Sequence, residues 1–205
     1  LASDQACGVE GKVDPNPLSF EYSALMSKGS MPQEPIAVIG MAGQFPQSPD
    51  LQRFWHNLKN GIDCVAEVSS QRWDANQFYD PDPQAPGKTN CKWMGQIPDA
   101  DKFDPAFFNI SPNEAVAMDP QQRKILETSW HCIEEAGINA DDLSGALCGI
   151  FIGVAPGDYG MNADDESDSQ GLSSHGLMGR SMSILSARTA FFLNLKGPCI
   201  TLDTA

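Results

Sequence analysis

Few residues of this chain have types and spacings that could do chemistry, and they fall in separate stretches. Residues 197–205, "GPCITLDTA", run an apolar, β-like segment from Cys199 to Leu202 straight into Asp203, Thr204 and Ala205. A segment of this kind carries the backbone out of a core into a tight turn, where a reactive group can be presented. Six cysteines (7, 64, 91, 132, 148, 199) could supply thiols, but they include no C-x-x-C pair and no metal-ligand spacing. Cys148 and Cys199 stand in strand-like apolar runs and are expected to be small buried hydrophobes. His131 and Cys132 are adjacent, and neighbours on a helix point about 100° apart, which makes a poor catalytic pair. His56 and His131 fall in helical segments as structural or surface groups, whereas His175 falls in a loop and keeps a functional role open. Gly40 and Gly43 invite a dinucleotide-loop reading, but "GMAGQF" is not G-x-G-x-x-G. The acids Asp164, Asp165, Glu166 and Asp168 lie among Ser, Gly and Asn without the glycine-punctuated spacing of a calcium loop, so they read as a solvated loop and no metal is expected.

Elements to position these groups are legible along the chain. Residues 1–33 mix Asp, Gly, Ser and Pro and read as an inter-domain linker or flank, with a brief helical tendency at "SFEYSALMSK". Ile36 to Ile39 predict a fully buried strand ending at Gly40. In "SPDLQRFWHNLKNG", Ser48 suits an N-cap and Pro49 the first helical position. Leu51, Phe54, Trp55 and Leu58 form an apolar stripe closed by Gly61. Residues 62–110 are rich in Pro, Asp and Gly, yet rings at 73, 78, 79, 93, 103, 107 and 108 punctuate them, which predicts an ordered irregular excursion.

Two helix starts follow. Ser111, Pro112 and Glu114 spell a capping box, and Asp119, Pro120 and Gln122 repeat the device. The second helix is expected to run to about Ala136, burying Ile125, Leu126, Trp130 and Ile133 ahead of Gly137. "LCGIFIGV" (147–154) predicts a buried strand. A further helix over 183–195 places Leu185, Thr189 and Phe192 on one face, and "CITLD" closes the series as a strand. Buried strands alternating with capped helices imply an α/β architecture with a largely parallel sheet.

Composition bounds what such a fold could do. With 205 residues, 41% of them hydrophobic, ten Phe and four Trp, the chain can bury a sizeable core. A formal net charge of −14 and the absence of a basic stripe argue against nucleic acid as a partner. No apolar run approaches a membrane span and no leader pattern opens the sequence, so the expectation is a cytoplasmic protein with no membrane partner.

Four strings, "EPIAVIGMAGQFP", "FDPAFFNISPNEAVAMDPQQRKILETSW", "GIFIGV" and "LSARTAFFLNLKGPCITLDTA", together resemble the β-ketoacyl synthase domain of modular polyketide synthases, over residues 34–205 and in the right order. The resemblance implies a thiolase-like fold, layered α-β-α-β-α in the complete domain, of which this chain is about the first half. In that family the closing strand runs D-T-A-C-S-S. A nucleophilic Cys is therefore expected immediately after Ala205 and two catalytic His further downstream, so no residue of 1–205 is assigned a catalytic role. A thiol belongs at such a bend because a following helix N-terminus stabilises thiolate and can hold an oxyanion.

The implied reaction moves an acyl chain from the phosphopantetheine arm of an acyl carrier protein to that Cys. A decarboxylative Claisen condensation with a malonyl-type extender follows. No cofactor bound by the chain itself is implied. Asp203, Thr204 and Ala205 correspond to the approach to the nucleophile. "LMGRSMSILSAR" resembles a segment that in the family often reads L-T-G-N-A-x-S and reaches across a homodimer to shape the partner's acyl pocket, which places Met178, Arg180 and Met182 in the substrate pocket. Met178 replaces the usual Thr, Arg180 the usual Asn, and Phe191 a common Tyr, departures that point either to an altered acyl-chain preference or to a loop that faces solvent. The resemblance also implies that Cys199 to Leu202 lie at the dimer interface, that the remainder of the domain is a partner, and that the acidic carrier is met by local basic patches. The alternatives are a decarboxylase-only or inactive domain of the same fold, or a non-catalytic dimerisation fragment.

Overall fold

A computed structural model describes residues 35–155, 157–159 and 174–204, with the backbone alone at Ser174 and His175. The chain divides into two units, Leu1–Val38 and Ile39–Ala205. The linker expected at 1–33 and the acids at 164–168 lie outside the described residues. Residues 36–39 form no strand, contrary to expectation: a strand requires a ladder partner, and none pairs with this segment among the described residues.

Helix α1 (Leu51–Lys59) is capped by Asp50, whose carboxylate accepts from the Arg53 N–H at 2.7 Å, and not by Ser48. Ser48 is fully buried instead. Its hydroxyl donates to the Pro46 carbonyl at 3.1 Å and accepts from Asn57 Nδ2 at 2.9 Å. Satisfying that polar pair turns Asn57 inward and leaves Trp55 and Leu58 of the expected stripe exposed, while Phe54 stacks on Phe45 at 4.0 Å. The ring-rich excursion is ordered, as expected. Strands β1 (Val65–Glu67) and β2 (Trp93–Gly95) pair antiparallel around the short helix α2 (Ala75–Phe78), with Lys92 on Glu67 at 2.8 Å across the pair.

The two closely spaced starts give α3 (Pro112–Ala117) and α4 (Pro120–Glu135). Ser111 accepts from the Glu114 N–H at 3.2 Å, and Asp119 from the Gln121 N–H at 2.8 Å. The reciprocal halves of both capping boxes are diverted, because Glu114 and Gln122 send their side chains to distant partners. Met118, between the helices, is completely buried. With Phe108 and Leu126 it makes the core, ringed by Phe103, Ile110, Trp130 and Phe192. Of the four residues expected inside α4, Leu126 is buried and Ile125, Trp130 and Ile133 are half-buried.

Strands β3 (Ile150–Gly153) and β4 (Cys199–Leu202) pair in parallel, joined through helices α5 (Ser174–Arg180) and α6 (Ile184–Phe192). The crossover helix α6 buries Leu185, Ser186 and Thr189, and Phe192 joins the ring cluster. It is shorter than expected, ending at Phe192, and position 175 belongs to a helix and not to a loop. Cys148 and Cys199 are both exposed, against expectation. Helix α6 packs against both strands, while Phe151, Ile200 and Leu202 of this two-stranded sheet stay exposed.

The aromatic core sets a stability test. Replacing Leu126, 2% exposed, by Ala should cost about 2–4 kcal/mol in urea unfolding, whereas Leu58→Ala on the open face of α1 should cost under about 1 kcal/mol. Equal losses at the two positions would contradict this placement of the core.

Candidate functional site

The closing strand is held in register by its whole length. Ile150 pairs with Cys199 and Gly153 with Leu202. The ladder extends at both ends, from the Ile150 N–H to the Pro198 carbonyl at 2.7 Å and from the Val154 N–H to the Leu202 carbonyl at 2.9 Å. Gly197 runs directly against the Cys148 carbonyl, leaving no room for a Cβ. Because β3 and β4 are parallel and end together, Val154-Ala155 and Asp203-Thr204 leave from the same edge. That edge is formed by the carboxyl ends of the strands, where open α/β sheets bind ligands. Asp203 and Thr204 are exposed there, and Ala205 lies outside the described residues.

One side chain ties this ramp to the layer behind it. Thr201 Oγ donates to Ser186 Oγ at 2.8 Å and accepts from the Ser186 N–H at 3.4 Å. Ser183, at the N-cap of α6, makes no side-chain cap bond, so Thr201 serves the first turn of that helix from the neighbouring strand.

The second candidate segment, residues 178–182, spans the end of α5 and the turn into α6. Met178 is 37% exposed, and Arg180 and Met182 are half-buried. Its backbone is held from the start of α4. The Asp119 N–H donates to the Gly179 carbonyl at 2.9 Å, and Gln122 Nε2 donates to the carbonyls of Met178 and Ser181, both at 3.1 Å. Gly179 touches the Ala117 carbonyl so closely that any Cβ would collide with it. Gln122 Oε1 accepts from Arg188 Nε at 2.7 Å, and Arg188 Nη1 donates to Glu114 Oε1 at 2.5 Å.

The same helix start also holds the strand exit. Gln121 Nε2 donates to the Ala155 carbonyl at 3.3 Å, and Tyr159 donates to the Val116 carbonyl at 2.7 Å beneath the Arg123 guanidinium. The stem leaving β3 is therefore fixed on residues 116–123.

The two segments meet through α6, which receives the 181–183 turn at its N-terminus and Thr201 at its first turn. Sequence reading assigned Asp119 and Gln122 to helix capping and missed Arg188, Ser186 and Thr201. A signal existed for Gln122: it lies four residues before Leu126, on the apolar face of α4, where a polar side chain needs buried partners. Two lysines have raised pKa values, Lys92 through its hydrogen bond to Glu67 and Lys102 through its hydrogen bond to Asp99; both are on the excursion. Among the described residues no group of three or more His, Cys, Asp or Glu could hold a metal ion, and no helix is long and apolar enough to cross a membrane.

A parallel strand pair backed by a crossover helix, with its exposed ramp on the carboxyl-end edge, defines an α/β protein, and its likeness to solved ketosynthase domains makes the fold thiolase-like. Residues 33–205 match the sequence family described as "Beta-ketoacyl synthase, N-terminal domain", and the chain belongs to that family. Phthioceranic/hydroxyphthioceranic acid synthase of Mycobacterium tuberculosis is 46% identical over 174 residues, covering 83% of this chain and 8% of the relative. Polyketide synthase PksL of Bacillus subtilis is 38% identical over 174 residues, covering 85% of this chain and 4% of the relative. Among solved structures, the oxazolomycin ketosynthase domain OzmH KS7 of Streptomyces albus superposes with a TM-score of 0.72 at 40% identity, over 82% of this chain and 28% of that one. The ketosynthase from module 6 of the bacillaene synthase of Bacillus subtilis superposes with a TM-score of 0.65 at 36% identity, over 82% of this chain and 26% of that one. The chain thus spans under a tenth of these curated relatives and under a third of these solved domains.

The Thr201–Ser186 link is testable without chemistry. Thr201→Val keeps the shape but strands the Ser186 hydroxyl and N–H, and should cost about 1–3 kcal/mol in urea unfolding. Thr201→Ser, which keeps the oxygen, should recover most of that loss. Two equally mild substitutions would show that the hydroxyl does not matter.

Proposed function

We propose that this chain is the N-terminal part of a ketosynthase domain of a modular polyketide synthase, and that the full polypeptide carries a nucleophilic Cys directly after Ala205. The observation that carries the reading is the delivery of Asp203 and Thr204, exposed, at the carboxyl-end edge of the parallel pair, by a strand whose register is held on both sides. A bend there presents the next residue outward, and a helix beginning after it would lower a thiol pKa and supply N–H groups to an oxyanion.

The thiolate attacks the thioester carbonyl of an acyl group on the phosphopantetheine arm of an acyl carrier protein. A new C–S bond forms, the old one breaks, and the carrier leaves as a thiolate that takes up the proton the Cys had given up. A malonyl-type extender on a second carrier then loses carbon dioxide, leaving an enolate. Its carbon attacks the acyl-enzyme carbonyl, forming the C–C bond and releasing the thiolate. Met178, Arg180 and Met182 shape the acyl pocket of the partner copy in a homodimer. The exposed apolar side chains of Ile200, Leu202 and Phe191 support burial against that copy and the rest of the domain.

Two measurements test this. The full polypeptide, incubated with an acyl thioester and digested, should yield a peptide acylated on the residue after Ala205, and iodoacetamide pretreatment should abolish the adduct. Release of carbon dioxide from a malonyl thioester without any acyl-enzyme would instead identify a decarboxylase-only domain and overturn condensation. Restoring the usual family residues with Met178→Thr and Arg180→Asn should change the relative rates of short and long acyl thioesters by about tenfold, the scale of a few buried contacts. An unchanged ratio would remove these two residues from the pocket.

A further inference from the structure

We propose that Gln122 is a positioning residue for acyl-chain selection, acting through the backbone of Met178 to Ser181. The inference rests on the reading that residues 178–182 shape the acyl pocket.

Gln122 is completely buried, and its amide is used at both ends. Nε2 donates to the carbonyls of Met178 and Ser181, and Oε1 accepts from Arg188 Nε. These partners allow one orientation of the amide. Flipped, its oxygen would face two carbonyl oxygens and its NH2 would face a guanidinium. Arg188 is held in turn by Glu114, so the amide is oriented by a chain of side chains anchored on α3, α4 and α6.

The carbonyls that Gln122 receives need a partner. The Met178 carbonyl belongs to the last turn of α5, where helix geometry provides no N–H for it. Ser181 opens the turn into α6, and its carbonyl also accepts from the Ile184 N–H at 3.2 Å. With Gln122 in place, the peptides on either side of Arg180 are fixed at Met178, at Gly179 through the Asp119 N–H, and at Ser181. The directions of the Met178, Arg180 and Met182 side chains follow from those peptide planes. Without the amide, the Met178 carbonyl would lose its partner and the Ser181 carbonyl would keep only the Ile184 N–H, and their peptides would rotate towards other partners. The three side chains would then be aimed differently, although none of them had been changed.

The test uses the full polypeptide carrying Gln122→Met, which conserves volume and removes both donors and the acceptor, and Arg188→Lys, which keeps the charge beside Glu114 but loses the Nε contact. Acylation is followed with short- and long-chain acyl thioesters of N-acetylcysteamine, and iodoacetamide alkylation, read by peptide mapping at the residue after Ala205, reports on the nucleophile apart from the other exposed thiols. Gln122→Met should change the ratio of kcat/KM between the two chain lengths by roughly fivefold or more, the scale of one or two lost hydrogen bonds, while the alkylation rate stays within about twofold. Arg188→Lys should move the ratio in the same direction by less, and it decides the matter if Gln122→Met does not fold. A ratio unchanged in the folded variants, with both substrates slowed equally, would overturn the positioning role. Failure of the unsubstituted protein to take an acyl group from any thioester is a separate result, which would overturn the functional reading on which this one rests.

Discussion

The buried amide of Gln122 meets a demand that the elements around it cannot meet locally. A helix that ends inside a fold leaves its last carbonyls without N–H partners, and an unpaired carbonyl away from water costs about 1–3 kcal/mol. Here the end of α5 and the turn beyond it are served by the first turn of α4, through the Gln122 side chain and the Asp119 N–H. One residue earlier, Gln121 serves the Ala155 carbonyl on the way out of β3. A single helix start therefore fixes the chain where it leaves the sheet and where α5 gives way to α6.

The same arrangement explains why neither capping box closes as its pattern suggests. Ser111 and Asp119 accept from their own helices, but Glu114 goes to Arg188 and Gln122 goes to Met178, Ser181 and Arg188. A reciprocal cap on an exposed helix satisfies one N–H that water could also satisfy. Diverting these side chains satisfies part-buried groups with less access to water, which is the larger effect. Thr201 repeats the logic in the other direction, with a strand hydroxyl serving the first turn of α6. Caps in this fold are tertiary contacts as much as local ones.

Burial was the least legible property. Cys148, Cys199, Phe151 and Leu202 lie in apolar runs, yet all are exposed. An apolar run states that a segment is to be covered, and not by what. With two parallel strands and α6 against them, the described residues supply a strand layer and one helix layer of a layered fold, and the chain spans 28% of the solved ketosynthase domain it resembles in shape. The failure of Ile36 to Ile39 to form a strand has the same root, since ladder hydrogen bonds need a second segment and propensity alone cannot provide one. On α1 the misreading was of a different kind: Asn57 found Ser48, and the helix rotated its polar residue inward at the expense of Trp55 and Leu58.

By itself the sequence determined what depends on near neighbours. The helix starts at Pro112 and Pro120, the strands at Ile150 and Cys199, the ring-rich ordered excursion and the family all follow from local pattern and motif order. These rest on residues within a few positions of one another, so the pattern carries them. Tertiary structure alone decided which polar groups meet. Gln122 finds Ser181 across 59 residues, Arg188 finds Glu114 across 74, and Thr201 finds Ser186 across a helix-to-strand crossover. Each of these pairings depends on how two elements come to lie against each other. Side-chain type shows only that a buried donor needs an acceptor; the packing of α3, α4, α5 and α6 decides which acceptor is there.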